Sequence, residues 1–241
     1  MGETAISLKN VSKSYGKREV LKNISMDIEK GCIYGLLGPS GCGKTTTVKT
    51  MAGILKVSSG EVKILGHKMP ELSIMSKIGY MAQSDALYEN LSAYDNLYFF
   101  GTLYEIKKDV LKNKIKDVLK LTNLEEFAKK KVSSFSGGMK KRLSLSIALI
   151  SDPEILILDE PTVGIDPMLR KDIWDEFYRL SENGMTILVT THVMDEAEKC
   201  GVLAMMREGE IIASGTPEEI IKKSGKNNIE DAFIFYGKSG E

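Results

Sequence analysis

Ile33-Tyr34-Gly35-Leu36-Leu37-Gly38-Pro39-Ser40-Gly41-Cys42-Gly43-Lys44-Thr45 is the stretch whose reading decides the fold. A short apolar run leads into the pattern G-x-x-x-x-G-K-[ST], complete from Gly38 to Thr45, and a helix is expected to begin near Lys44. Strand, glycine-rich turn and helix in that order are the context in which this pattern holds phosphate. The glycines let the backbone curl until successive N–H groups point inward, and the helix start adds the positive end of its dipole, about +0.5 charge. Backbone contacts to phosphate are expected from Gly38, Ser40, Gly41, Cys42, Gly43 and Thr46. Lys44 is placed to neutralise β- and γ-phosphates, and the Thr45 hydroxyl to ligate Mg²⁺. A glycine turn with a chance Lys-Thr is the alternative, and the flanking elements weigh against it.

Outward from this loop, two kinds of strand are predicted. Ile6 and Leu8, then Ile24, Met26 and Ile28, alternate with polar residues, and Val62 and Ile64 continue the pattern; these read as a small antiparallel sheet with one face buried. Ile155 to Leu158, Ile187 to Val189 and Val202 to Met205 are near-continuous apolar runs, which suit parallel strands covered on both faces. A helical stretch such as Met168 to Leu180 between them implies an α/β sheet with crossover helices. Residues 84–150 interrupt this alternation and read as a wholly helical insertion. Ser92 and Asp95 resemble a capping box there, and Val110, Leu111, Ile115, Val118 and Leu119 form an apolar stripe. The expected organisation is one domain over 1–241: a core of 1–83 and 151–220 that includes the β subdomain, the helical subdomain 84–150, and a C-terminal extension 221–241.

Composition bounds the partners. Lys+Arg and Asp+Glu stand at 33 each, so a broad basic field for nucleic acid is not expected. The runs Lys129–Lys131 and Lys140–Arg142 read as solvated helix faces. Three cysteines without C-x-x-C spacing weigh against a disulfide framework and a zinc site and fit a reducing cytosol. No signal peptide is legible at Met1-Gly2-Glu3-Thr4, and no apolar run approaches the ~18 residues of a membrane span. Work at a membrane would therefore need a partner that supplies the spanning helices.

The second chemical element is Ile155-Leu156-Ile157-Leu158-Asp159-Glu160-Pro161. An acid at the end of a buried strand is costly unless it meets a cation, so Asp159 reads as a Mg²⁺-binding carboxylate. Glu160 follows at the same cleft and reads as the general base that polarises water.

Ser136-Gly137-Gly138-Met139-Lys140-Lys141-Arg142, before a long helix, resembles the signature loop of the ATP-binding subunits of ABC transporters. Taken alone, a plain Ser/Gly helix cap explains it equally well. Further motifs follow the family's order: Tyr15 resembles its adenine-stacking aromatic, Gln83 the glutamine that touches Mg²⁺ and water, Gly164-Ile165-Asp166 the loop that meets the opposite subunit, and His192 the switch histidine on the γ-phosphate. Each has a bland reading alone; their register over residues 15–192 is what carries the resemblance. It implies an α/β P-loop NTPase of ABC type with a mostly parallel sheet, an N-terminal antiparallel β subdomain and a helical insertion. The implied activity is ATP hydrolysis with ATP and Mg²⁺ as cofactors, using Glu160, His192 and Gln83 for catalysis and Thr45, Gln83 and Asp159 at the metal. It also implies a head-to-tail dimer in which Ser136, Gly137 and Gly138 of one copy meet ATP held by the other.

One position departs from the family. Leu-Ser-Gly-Gly-Gln is usual, whereas Met139 here cannot donate as glutamine can. Phe135-Ser136-Gly137-Gly138-Met139 and the ending Asn228-Ile229-Glu230-Asp231-Ala232-Phe233 are similar to the branch that exports drugs, antibiotics and lipids with ABC-2-type permeases. That branch implies a separate integral-membrane permease and a cytoplasmic position, peripheral on the inner face of the membrane. Residues 88–104 hold four of the nine tyrosines and two of the seven phenylalanines, and the resemblance sets them beside the permease groove; ordinary packing explains most of these rings equally well. Cys42, at a helix N-terminus, is expected to have a lowered thiol pKa and ATP-protected alkylation. The competing readings are a soluble ABC-type ATPase acting on nucleic acid or ribosomes without a permease, and a non-hydrolytic interaction module.

Overall fold

The structure is a computed structural model that describes residues 2–84 and 86–238. Met1, Asp85 and residues 239–241 lie outside the described residues, the latter two within the insertion and extension expected above.

The antiparallel sheet is built from β1 (Thr4–Tyr15), β2 (Arg18–Glu29), β4 (Ser59–Ile64) and the short β5 (His67–Lys68), in the order β2-β1-β4-β5. Its alternating residues Ile6, Leu8, Ile24, Ile28, Val62 and Ile64 are all buried, so the period-2 reading is observed directly. The second sheet runs β10-β9-β3-β8-β7-β6, with β3 (Ile33–Leu37), β6 (Ile78–Met81), β7 (Ile155–Asp159), β8 (Thr186–Thr191) and β9 (Val202–Arg207) parallel and β10 (Glu210–Gly215) antiparallel at one edge. Every residue of β3, β7 and β8 is buried. The two faces share the strand residues: Ile155, Ile157 and Leu188 pack towards the antiparallel sheet, while Leu156, Leu158, Ile187 and Val189 pack towards the helices. Being covered on both sides explains the unbroken apolar runs.

α1 (Lys44–Met51) follows β3 through the glycine-rich turn, and α2 (Leu72–Met75) is a single short turn before β6. The insertion carries α3 (Ala93–Leu103), α4 (Lys108–Leu121) and α5 (Gly137–Leu149), joined by irregular stretches and two short 3₁₀ turns rather than continuous helix. Ser92 caps α3 by accepting from Asp95 N at 3.0 Å; the Asp95 carboxylate then takes the Ser92 hydroxyl at 2.6 Å instead of the backbone donor of a full capping box. Leu111, Ile115, Val118 and Leu119 are buried as the stripe predicts, but Val110 is exposed because it lies off the face turned to α3 and α5.

α6 (Pro167–Glu182) crosses back to β8, and α7 (Met194–Ala197) leads to β9. The chain closes with α8 (Pro217–Ser224) and α9 (Ile229–Lys238), whose Ile229 and Ala232 are buried against Leu37, Leu203 and Met205. Among the described residues no helix is long and apolar enough to cross a membrane.

Candidate nucleotide site

Three parallel strands, β3, β7 and β8, end side by side and deliver the phosphate turn, Asp159-Glu160 and Thr191-His192 to one edge. The Gly38 N–H donates to Thr191 O at 3.2 Å, so the phosphate turn is tied to the strand that carries His192. Two glycines in the turn are required by space. A Cβ at Gly38 would come within 2.4 Å of the Met206 carbonyl, and Gly43 combines a φ of +113° with Leu21 and Met206 side chains under 3 Å from its missing Cβ. Gly43 is also the N-cap of α1 and offers no side-chain cap, so the first N–H groups of this helix face the cleft.

The cleft measures about 210 Å³ and is lined by Ser40, Gly41, Lys44, Thr45, Thr46, Gln83 and Glu160, among others. Glu160 is its hub. The buried carboxylate accepts from Gln83 Nε2 at 3.1 Å, lies 3.1 Å from His192 Nδ1 and forms an ion pair with Lys44 Nζ at 3.7 Å. A carboxylate only accepts, so the proton of this contact sits on His192 Nδ1. Lys44 also donates to the carbonyls of Gly38 at 2.7 Å and Pro39 at 3.0 Å. The Glu160 backbone has a left-handed φ of +54°, held by its N–H to Thr190 O at 3.2 Å and Thr190 Oγ1 at 3.1 Å, and by Lys141 Nζ donating to its carbonyl at 2.9 Å.

Asp159 is fully buried. Its Oδ1 accepts the Thr190 hydroxyl at 2.6 Å, whereas Oδ2 has no protein partner. An orphaned carboxylate oxygen at the end of a buried strand fits a site for Mg²⁺ and its water shell. The Asp159 charge adds to burial in pushing the Tyr80 phenol up to about 12.

Other sequence-predicted residues lie outside this cleft. Tyr15 ends β1, half exposed, with Lys13 Nζ 5.2 Å above its ring. Ser136 caps α5 by accepting from Met139 N at 3.3 Å; Ser136 and Gly137 are exposed, and a Cβ on Gly138 would sit 3.7 Å from the Gly164 carbonyl. Asp166 caps α6 by accepting from Leu169 N at 3.1 Å. Signature loop and Gly164–Asp166 turn therefore form a second surface, apart from the residues that line the cleft.

Two expectations are corrected. Burial pushes the Cys42 thiol up, against the smaller lowering effect of Lys44, and its sulfur would lie 2.6 Å from a Cβ on Gly38, inside the turn's core. The Cys42 backbone is tied within the fold as well, its N–H to Pro39 O at 3.4 Å and its carbonyl to Gly209 N at 3.0 Å. The run Lys140–Arg142 is also no solvated face. Lys140 pairs with Glu89, Lys141 holds the Glu160 carbonyl, and Arg142 donates to the carbonyls of Thr122 at 3.1 Å and Asn123 at 2.8 Å. Lys129, Lys130 and Lys131 are exposed as expected, but on the turn after the 3₁₀ segment Glu125–Phe127 and not on a helix face. Thr190 and Lys141 escaped the sequence reading. Thr190-Thr191, a polar pair closing an apolar strand, is a signal that could have found the first.

Fold and cleft together define a phosphate-loop nucleotidase. The chain belongs to the ABC transporter family, whose profile matches residues 21–163, and is an ATP-binding, ATP-hydrolysing cassette subunit. It is 39% identical over 227 residues to the linearmycin resistance ATP-binding protein LnrL of Bacillus subtilis, covering 93% of this chain and 73% of that one. The Nod factor export ATP-binding protein I of Paraburkholderia xenovorans is 39% identical over 224 residues, 92% of this chain and 74% of the relative. The probable multidrug ABC transporter ATP-binding protein YbhF of Escherichia coli is 38% identical over 97% of this chain, which spans 42% of that longer protein. Among solved structures, an ATP-binding subunit of an ABC transporter superposes with a TM-score of 0.89 at 24% identity, over 97% of this chain and all of the other. A dimeric ATP-binding cassette in a post-hydrolysis state with ADP and Pi superposes with a TM-score of 0.82 at 29% identity, over 88% and 98%.

Proposed function

We propose that this cassette powers an ABC-2-type exporter of drugs, antibiotics or lipids, acting on the inner face of the membrane through a separate permease. The names of the similar linearmycin-resistance, multidrug and Nod-factor-export proteins support export. A groove of about 230 Å³ between β6, α3 and α5, lined by Tyr80, Leu87, Phe100, Tyr104 and Ile147 among others, suits an amphipathic helix of such a permease.

The observation that carries the catalytic reading is the convergence of Lys44, Gln83 and His192 on the Glu160 carboxylate. In this reading Tyr15 stacks on adenine. Backbone N–H groups of residues 40–46 and the Lys44 ammonium hold the phosphates. Thr45, Gln83 and Asp159 would hold Mg²⁺, which supplies charge neutralisation at the β- and γ-phosphates when bound. Glu160 takes the proton of the attacking water as its oxygen bonds to the γ-phosphorus. The bond to the β,γ-bridging oxygen breaks, and ADP leaves with both electrons of that bond. His192 Nε2 faces the γ-phosphate. Ser136, Gly137 and Gly138 of a second copy cover the same phosphate in a C₂ dimer, with Asp166 at the seam. The exposed α5 N-terminus, capped only by Ser136, supports that role, since such a terminus attracts anions.

Glu160→Gln tests the reading. The amide cannot take a proton, so turnover should fall by at least about a hundredfold while ATP affinity persists. The variant should accumulate as a dimer with ATP in size-exclusion chromatography. Near-normal turnover would remove Glu160 from the base role, and a strictly monomeric active species would remove the dimer.

A further inference from the structure

We propose that Glu196, outside the nucleotide cleft, is a positioning residue for hydrolysis. It pins the turn that presents His192 to the turn that follows Glu160. The inference rests on the catalytic reading of these two residues.

Glu196 lies on the short α7 and is 1% exposed. Its Oε1 accepts the Thr162 hydroxyl in a short bond, and its Oε2 accepts the Thr191 hydroxyl at 2.6 Å. Thr162 is two residues past Glu160, and Thr191 directly precedes His192. The Thr191 hydroxyl also accepts from Val193 N at 3.0 Å, so His192 is bracketed on both sides by one side chain. A third segment joins through Arg170. Its Nε lies 3.8 Å from Glu196 Oε1 without a hydrogen-bond partner of its own, while its guanidinium donates to Ile165 O at 3.3 Å. One buried carboxylate thus ties the residues after Glu160, the residues around His192 and the Gly164–Asp166 turn.

The chemistry matches the task. An ionised carboxylate only accepts, and here two hydroxyl donors and one cation surround its two oxygens. A leucine would fill the volume without burying a charge, and would leave both hydroxyls and Arg170 unmatched. What the clamp sets is the 3.1 Å contact between His192 Nδ1 and Glu160 Oε1, which joins exactly the two turns that Glu196 binds. A relative slip of about 1 Å would end that hydrogen bond and misplace both groups against one phosphate. Phosphate grip itself depends on α1 and its turn, which Glu196 does not touch. The clamp should therefore govern the chemical step more than nucleotide affinity.

The test compares Thr191→Val, Glu196→Gln and Glu196→Ala with His192→Ala, measuring steady-state ATPase rate and, separately, affinity for a fluorescent ATP analogue. Thr191→Val and Glu196→Ala should each lower kcat about tenfold or more with nucleotide Kd within about twofold of wild type. Glu196→Gln keeps an acceptor for one threonine and an amide for the other, and should recover much of the loss. If Glu196→Ala does not fold, Thr191→Val, nearly isosteric, carries the measurement. Wild-type kcat in Thr191→Val, or a parallel loss of kcat and affinity, overturns the clamp. If His192→Ala hydrolyses normally, the catalytic reading fails and the inference with it; if His192→Ala is inactive while Thr191→Val is not, only the inference fails.

Discussion

Replacing Thr190 by valine removes one buried hydroxyl from beside Asp159 and little else. That hydroxyl donates to Asp159 Oδ1 at 2.6 Å and accepts from Glu160 N at 3.1 Å, and the residue is fully buried. Glu160 N retains the Thr190 carbonyl at 3.2 Å, so the second contact adds little to the cost. The first is a hydrogen bond to a buried carboxylate whose other oxygen already lacks a protein partner. Such bonds contribute about 1.5–3 kcal/mol, and the upper half of that range applies because Asp159 is left with none. For a chain of this size that is a fall of about 5–10 °C in Tm. Urea unfolding in EDTA, followed by the fluorescence of Trp174, the single and buried tryptophan, measures the loss directly. Thr190→Ser restores the donor and should recover most of it. A valine variant within about 0.5 kcal/mol of wild type, or a serine variant as unstable as valine, would refute the view that Asp159 is held by this one hydroxyl.

Lys141→Met removes the ammonium that joins α5 to the Glu160 carbonyl, and should lower kcat severalfold with little change in ATP affinity; unchanged turnover would show that the left-handed Glu160 backbone needs no such support. Cys42 should resist iodoacetamide at pH 7, as read by peptide mass spectrometry, because burial favours its protonated form; fast labelling that ATP blocks would reverse this. Cys200 is raised from 9.0 to about 12 by burial first and the Glu196 charge second. The stability it contributes is fully present below its ordinary value and is lost as pH rises from about 9 towards 12, so Cys200→Ala should flatten the fall in urea midpoints across that window.

The fold was legible where one period dominated. Alternation in β1, β2 and β4 and unbroken apolar runs in β7 and β8 report one covered face and two, and both readings match the burial observed. The phosphate turn was legible because its pattern is contiguous in sequence, although the space that requires glycine at Gly38 and Gly43 is closed by the distant Met206 and Leu21. Lys141 was misread because local charge spacing cannot tell a solvated lysine from one whose ammonium reaches a carbonyl 19 positions away in the chain. Glu196 and Thr162 escaped for the same reason: their partnership is set where β7 and β8 end together, 34 residues apart. Val110 was miscounted because a helix 14 residues long turns part of any apolar stripe away from its neighbours.

Lys44 stands among three oxygens supplied by its own chain, two carbonyls of the turn and the Glu160 carboxylate. If Lys44 takes the phosphates as proposed, an arriving triphosphate would exchange one anion for another instead of meeting a bare ammonium. In the proposed reading, that exchange would release from its cation the carboxylate assigned as the base, Glu160. On that proposal the resting ion pair is a safety catch that the incoming nucleotide itself would release.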